Sequence, residues 1–201
     1  MTVWDAMIGQ PEAVRILRLA ALEGRAIVNG PEAEPADVVR AGALSHAWLI
    51  TGPPGSGRSI AAKCLAAALQ CTGEPIGCGV CPGCHTTMQG TNADVQLHAT
   101  DKRTISISVV RQWVERSYDA PAGGRWRVSV VEDADRITDR TAGVLLKSVE
   151  EPPARGIWVL CAPTVGEVIA TIRSRCRHVA LVTPSADAVA DYLARAEGVD
   201  F

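Results

Sequence analysis

Aromatic side chains are scarce in this chain, with one Phe, two Tyr and five Trp among 201 residues. That is a thin supply for a surface that reads single-stranded nucleic acid by stacking bases on successive rings. No surplus of charge compensates. Twenty Lys and Arg against 22 Asp and Glu leave a net charge of −2, so any contact with nucleic acid has to be local. No apolar run is long enough to span a bilayer, and the N-terminus lacks the basic-then-apolar pattern of a secretory signal. The expectation is a cytoplasmic protein with no membrane partner. Internal repeats and low-complexity tracts are missing as well.

Apolar residues, at 47%, are enough to build one ordinary α/β core. Seven cysteines are many for a reducing compartment. Four of them crowd together, which favours metal binding, whereas Cys64, Cys161 and Cys176 stand apart in apolar or helical surroundings and read as packing residues.

The organising stretch is Gly52 to Ser59, GPPGSGRS. An apolar run from His46 to Thr51 precedes it and an alanine-rich helical pattern to about Gln70 follows. Strand, glycine-rich turn and helix together are the context of a phosphate-binding loop, in which main-chain N–H groups and the helix N-terminus face an anion. Gly52, Pro53, Gly55, Ser56, Gly57, Arg58 and Ser59 are the candidate ligands. The spacing fits G-x-x-x-x-G-K-[ST] at every fixed position but the lysine, where Arg58 stands.

Around this loop, a helix is expected from Pro11 to Glu23, ended by Gly24. Asn29 to Gly42 reads as an exposed insertion with a short helix at Ala36 to Ala41. Further strands are expected at Asp94 to Ala99, Arg125 to Val131, Gly156 to Cys161 and Arg177 to Val182. Helices are expected at Ser108 to Tyr118 and after Thr138 or Asp139, the latter stopped by Glu150-Glu151-Pro152-Pro153. Strands alternating with helices predict a parallel, doubly wound α/β sheet with ligand beyond the carboxyl ends of the strands. Pro184 opens a further helix capped by Ser185. One helix is too little for a domain, so the chain reads as part of a longer protein.

Cys71, Cys78, Cys81 and Cys84 are spaced C-x6-C-x2-C-x2-C with glycines between them. Four thiolates suit a tetrahedral Zn2+ with no open position, hence a structural ion. The alternatives are reduced loop cysteines or a redox pair, with His85 as a substitute ligand. His46, His98 and His178 lie in or beside strands and read as packing or surface residues.

In an active phosphate loop a lysine serves the β- and γ-phosphates and Ser or Thr holds magnesium. Arg58 keeps the charge but is forked and longer. Ser59 remains for Mg2+, so ATP or ADP can still be held. The strand at Val128 to Val131 ends in Glu132 then Asp133. That order places one carboxylate a methylene too far out and the other a methylene too short, so hydrolysis is not expected. A solvated strand end is the bland alternative for the acidic pair.

These residues resemble the AAA+ clamp-loader proteins of bacterial DNA polymerase III, in particular the delta-prime branch. The resemblance rests on Ile8-Gly9-Gln10, His46-Ala47 before GPPGSGRS, the four-cysteine insert, VVEDADRIT at Val130 to Thr138, LLKSVEEPP at Leu145 to Pro153 and TIRSRC at Thr171 to Cys176. It spans nearly the whole chain. It implies a RecA-like AAA+ P-loop domain over 1–183 with a zinc module at 71–84. A helical lid domain would begin at 184–201, with a collar domain absent. By the same resemblance, Glu132-Asp133 matches delta-prime rather than the ATP-hydrolysing motor subunits. Ala162-Pro163 stands where those carry a γ-phosphate-sensing threonine. The implied partners are the motor subunits and delta in a hetero-pentamer, and through it the sliding clamp and primer-template DNA. Arg175 would act as an arginine finger in trans on a neighbour's ATP. Taken alone, Arg173, Arg175 and Arg177 read as a solvated basic face.

Two rival functions stand beside this one. A self-sufficient ATPase would use Arg58 to place ATP and Asp133 as base. A zinc-dependent nucleic-acid-binding module would use Lys102, Arg103, Arg111, Arg116, Arg125 and Arg127 with Trp113 and Trp126.

Overall fold

Five strands pair in parallel into a single sheet in the computed structural model, which describes residues 1–30 and 42–197. They are β1 (Ala47–Thr51), β2 (Val95–His98), β3 (Arg127–Val131), β4 (Gly156–Ala162) and β5 (Arg177–Ala180), in the spatial order β2-β3-β4-β1-β5. The central strands β1, β3 and β4 are buried along their whole length, as expected where helices cover both faces. Trp48 and Trp158 are fully buried on neighbouring strands. Sheltering side chains such as Leu49 or Ile157 favours the fold by about 1.5–3 kcal/mol each.

Helices are α1 (Pro11–Asn29), α2 (Arg58–Leu69), α3 (Pro82–Met88), α4 (Ile107–Ser117), α5 (Asp139–Glu150), α6 (Ala170–Arg173) and α7 (Ala186–Glu197). One apolar cluster joins α1 and α2 to one face of the sheet; the other joins α4, α5 and α6 to the opposite face. Helix α2 is buried almost all round, which explains its composition. Alanines at positions 61, 62, 66, 67 and 68 let the sheet, α1 and α3 approach it closely. Thr138, rather than Asp139, caps α5 through a reciprocal box with Thr141.

The helix expected to end at Gly24 does not. It runs to Asn29 and stops at Gly30, whose φ is 86°. Gly24 serves packing instead. A Cβ there would sit 2.7 Å from Leu69 Cδ2, and Trp126 Nε1 donates to the Gly24 carbonyl at 3.2 Å. The short helix expected at Ala36 to Ala41 lies outside the described residues. Three elements escaped the sequence reading: α3 and the 3-10 turns at Val3–Ala6 and Ala134–Arg136. All are too short to show a period.

Candidate functional sites

All five strands point their carboxyl ends toward Gly52–Ser59, which leaves β1 between β4 and β5. Gly52 must be glycine, because a Cβ would meet Ser56 Oγ at 2.5 Å and the Leu181 main chain at 3.0 Å. Gly57, the N-cap of α2, has φ 87°. The loop frames a cavity of about 290 Å³ lined by Pro53, Gly55, Ser56, Gly57, Arg58 and Ser59. The predicted loop residues are thus brought together at the N-terminus of a buried helix. Ser56 is 3% exposed, and its Oγ has no hydrogen-bond partner among the described residues. Arg58 is half-buried, and its Nη1 donates to the Gly52 carbonyl of the same loop.

Gln10 is a residue whose role sequence reasoning missed. Its side chain is buried, donates through Nε2 to Val182 O at 2.6 Å and Ser56 O at 3.4 Å, and accepts from Val182 N at 3.1 Å. It therefore ties the phosphate loop to the segment that leaves β5. Beside it is an adjoining cavity of about 190 Å³ lined by Met7, Ile8, Gly55, Ile60, Ala61 and Pro184. This mainly apolar slot suits a flat ring next to a phosphate seat. The only signal in the sequence was the tripeptide Ile8-Gly9-Gln10.

Glu132 and Asp133 follow β3 at the same edge of the sheet. Both act, together with Arg58, on Cys161 below the loop. Burial is the main reason that thiol is pushed up to about 12; Glu132 adds to the effect, Arg58 opposes it and Asp133 adds. Asp133 is already engaged, accepting from Thr100 N at 2.9 Å and standing 3.5 Å from Arg136. The β4 end contributes main chain, with Gly52 N donating to Pro163 O at 3.1 Å, and the Cys161 thiol, 3.7 Å from Arg58 O. Ala162 offers no hydroxyl there.

The four clustered cysteines converge. Their sulfurs lie within 4.8 Å of one another, with Cys71 to Cys78 at 3.7 Å and Cys71 to Cys81 at 3.9 Å. Tetrahedral sulfurs about 2.3 Å from zinc stand about 3.8 Å apart, so the set fits Zn2+. Main-chain N–H groups of Cys81 and Cys84 face the sulfurs of Cys78 and Cys81 at 3.4 and 3.5 Å. Burial works against a Cys81 thiolate. The N–H groups of Cys84 and Thr72, with neighbouring thiols, outweigh it and bring that thiol down to about 6. Burial pushes the Cys84 thiol up. Zinc with four thiolates carries two negative charges. Arg25, 5% exposed, lies 3.7 Å from Cys71 Sγ and donates to Gly73 O at 2.8 Å. Arg125 also feels the Cys71 and Cys81 charges. His85 is outside the group, with its Nε2 3.1 Å from Gln89 Nε2. The module packs inward, as Trp4 Nε1 donates to Ile76 O at 2.9 Å.

Arg173, Arg175 and Arg177 are exposed between α6 and edge strand β5. They are not equivalent. Arg177 lies 5.3 Å from the Trp48 ring and donates to Gly42 O at 3.0 Å, whereas Arg175 pairs with Glu150 at the end of α5. The two tryptophans expected to stack at a nucleic-acid surface are buried. Trp113 and Trp126 are 8% and 6% exposed. Arg127 is held by Asp94 at 3.4 Å and Asp119 at 3.3 Å. His98, likewise buried, stacks on Trp113 at 4.5 Å. Among the described residues no helix is long and apolar enough to cross a membrane.

Comparison with known proteins agrees with this arrangement. A family model described as "DNA polymerase III, delta subunit" matches residues 36–185. The chain is 35% identical over 161 residues to the DNA polymerase III subunit delta' of Escherichia coli K12, covering 78% of this chain and 48% of that protein. It is 33% identical over 141 residues to the subunit gamma/tau of Mycobacterium bovis, covering 69% of this chain and 24% of that protein. The chain therefore spans about a quarter to a half of the length of these relatives. Among solved structures, a gamma subunit-related protein of Thermotoga maritima aligns with TM-score 0.54 at 20% identity, over 75% of this chain and 45% of that one. A RuvB R170A variant of the same organism aligns with TM-score 0.62 at 16% identity, over 96% and 51%. At such identities the structural matches establish the fold, a RecA-like AAA+ domain.

Proposed function

The chain belongs to the DNA polymerase III delta-subunit family of clamp-loader proteins, and on that premise we propose that it acts as a delta-prime-type subunit. In this reading it helps a ring of motor subunits and delta load the sliding clamp onto primer-template DNA. It contributes Arg175 in trans to ATP held by a neighbour and does not hydrolyse ATP itself. The observation that carries the reading is positional. Arg175 precedes β5, and Arg177 pairs in register with Trp48 near the start of β1, whereas Gly52 follows the end of β1. Four strand residues separate the two ends, about 13 Å at 3.3 Å per residue. An arginine at the amino edge of the sheet is on the wrong side to serve its own phosphate loop, but free to face another subunit. A guanidinium supplied this way is worth about 10³ to 10⁵ in rate. The test is Arg175→Ala in the reassembled loader. The neighbour's DNA-stimulated hydrolysis should fall by that order; an unchanged rate and unchanged clamp loading would refute the role.

The phosphate loop supports passive occupancy by ATP or ADP, with Ser59 available to Mg2+. Ser56, buried and without a partner, faces a cradle that an anion would complete. Hydrolysis lacks its parts, since Asp133 holds Thr100 and Arg136. The four-cysteine module would hold one structural Zn2+. Residues from Pro184 onward would begin a lid.

A further inference from the structure

Glu150 stands at the last position of α5, where the negative end of the helix dipole disfavours an acid. Glu151 follows it immediately and repels it. Yet the Glu150 carboxylate is not simply solvated. It forms an ion pair through Oε1 with Arg175 Nε, both side chains being 38% exposed. The same guanidinium donates through Nη1 to Thr171 O at 2.8 Å and to Ser174 Oγ at 3.2 Å. Carboxylate, carbonyl and hydroxyl thus hold two of the three nitrogens of one exposed arginine.

The holding groups stand on packed elements. Helices α5 and α6 lie against each other, and Val149 and Ile172, next to the groups concerned, are fully buried. Of the three arginines here, Arg173 reaches the Val165 carbonyl at 3.4 Å and Arg177 the carbonyls of Gly42 and Ala43. Arg175 is the one bound to a carboxylate on a different helix. A long arginine side chain left to itself samples many rotamers. One fixed at its Nε edge presents its guanidinium in a single place, and placement within about 1 Å governs how well a charge stabilises a reacting phosphate.

We propose that Glu150 is the positioning residue for Arg175, fixing the guanidinium for the terminal phosphate of a nucleoside triphosphate bound by the neighbouring subunit. This rests on the trans role assigned to Arg175 above. Glu150 itself touches no nucleotide in this arrangement. It acts on the rate of phosphoryl transfer and not on ATP affinity.

The experiment uses the reassembled loader with its other nucleotide sites silenced, so that steady-state hydrolysis reports the site facing Arg175. Arg175→Ala, Glu150→Gln and the double variant are compared with the unmodified complex, with co-elution of all subunits confirming assembly. Glu150→Gln should lower kcat about 10- to 100-fold with KM for ATP unchanged. The double variant should be no slower than Arg175→Ala alone, because a positioning residue has nothing left to position. A drop for Arg175→Ala with no change for Glu150→Gln overturns the positioning role and leaves the trans arginine standing. Additive losses, a raised KM or failed assembly with Glu150→Gln overturns it in favour of a purely structural pair. No effect of Arg175→Ala overturns the trans arginine, and the positioning role with it.

Discussion

Arg58 donates from Nη1 to the carbonyl oxygen of Gly52, the first residue of its own phosphate loop. The guanidinium that replaces the usual lysine is therefore also a brace across the turn. Incoming phosphate has to win that donor from a main-chain acceptor. A planar fork meets the loop's geometry less well than a compact ammonium does.

Arg58→Lys is expected to tighten ATP binding about tenfold or more, equivalent to about 1.4 kcal/mol. It should still give no turnover, because Asp133 remains tied to Thr100 and Arg136. Equilibrium titration with ATP and a phosphate-release assay check both halves. Turnover by the lysine variant would show that Glu132 and Asp133 can serve magnesium and water after all.

The zinc module depends on one close approach. A Cβ on Gly83 would lie 2.1 Å from the Gln70 carbonyl oxygen, a main-chain atom that cannot rotate aside. Gly83→Ala should therefore force α3 off the end of α2 at a cost of about 3 kcal/mol. For a chain of this size the melting temperature should fall by about 6–12 °C, with bound zinc lost more readily to a chelator. Val80→Ala, at an 82% exposed position in the same loop, should change neither. Equal zinc retention by both variants would contradict this packing.

His98 makes stability depend on pH. Burial, with Arg116 adding to it, brings the imidazole from 6.5 down to about 4. Between those values the unfolded chain binds a proton that the native chain does not. The contribution is complete above pH 6.5 and is lost as pH falls toward 4, up to about 3 kcal/mol. His98→Phe keeps a ring against Trp113 and should flatten this part of the profile. Urea unfolding at pH 7.5 and pH 5 measures it. An equal loss in variant and parent would assign the slope to other groups.

Much of the fold was legible because its signals are local. β1, β3 and β4 announce themselves as apolar runs, GPPGSGRS marks the turn after β1, and the cysteine spacing marks the module. Gly24 was misread, since a glycine that ends a helix and one that admits Leu69 look alike in sequence. Helix α3 and the turn at Val3–Ala6 were silent because seven or four residues carry no period. Trp113 and Trp126 looked available for stacking and are buried. Exposure is a property of the packed chain.

The sequence by itself determined the parallel α/β plan, the phosphate loop with its arginine, the Glu132-Asp133 order and the four-thiolate set. Each of these lies in residue type and short-range spacing. Only the tertiary structure decided that Gln10 clamps Ser56 to Val182, 46 and 172 residues away. It likewise decided that Asp133 is already engaged and that Glu150 meets Arg175. Those pairings come from how α5, α6 and the β2–α4 turn settle on the sheet. Burial of both apolar faces sets that arrangement, and no local spacing encodes it.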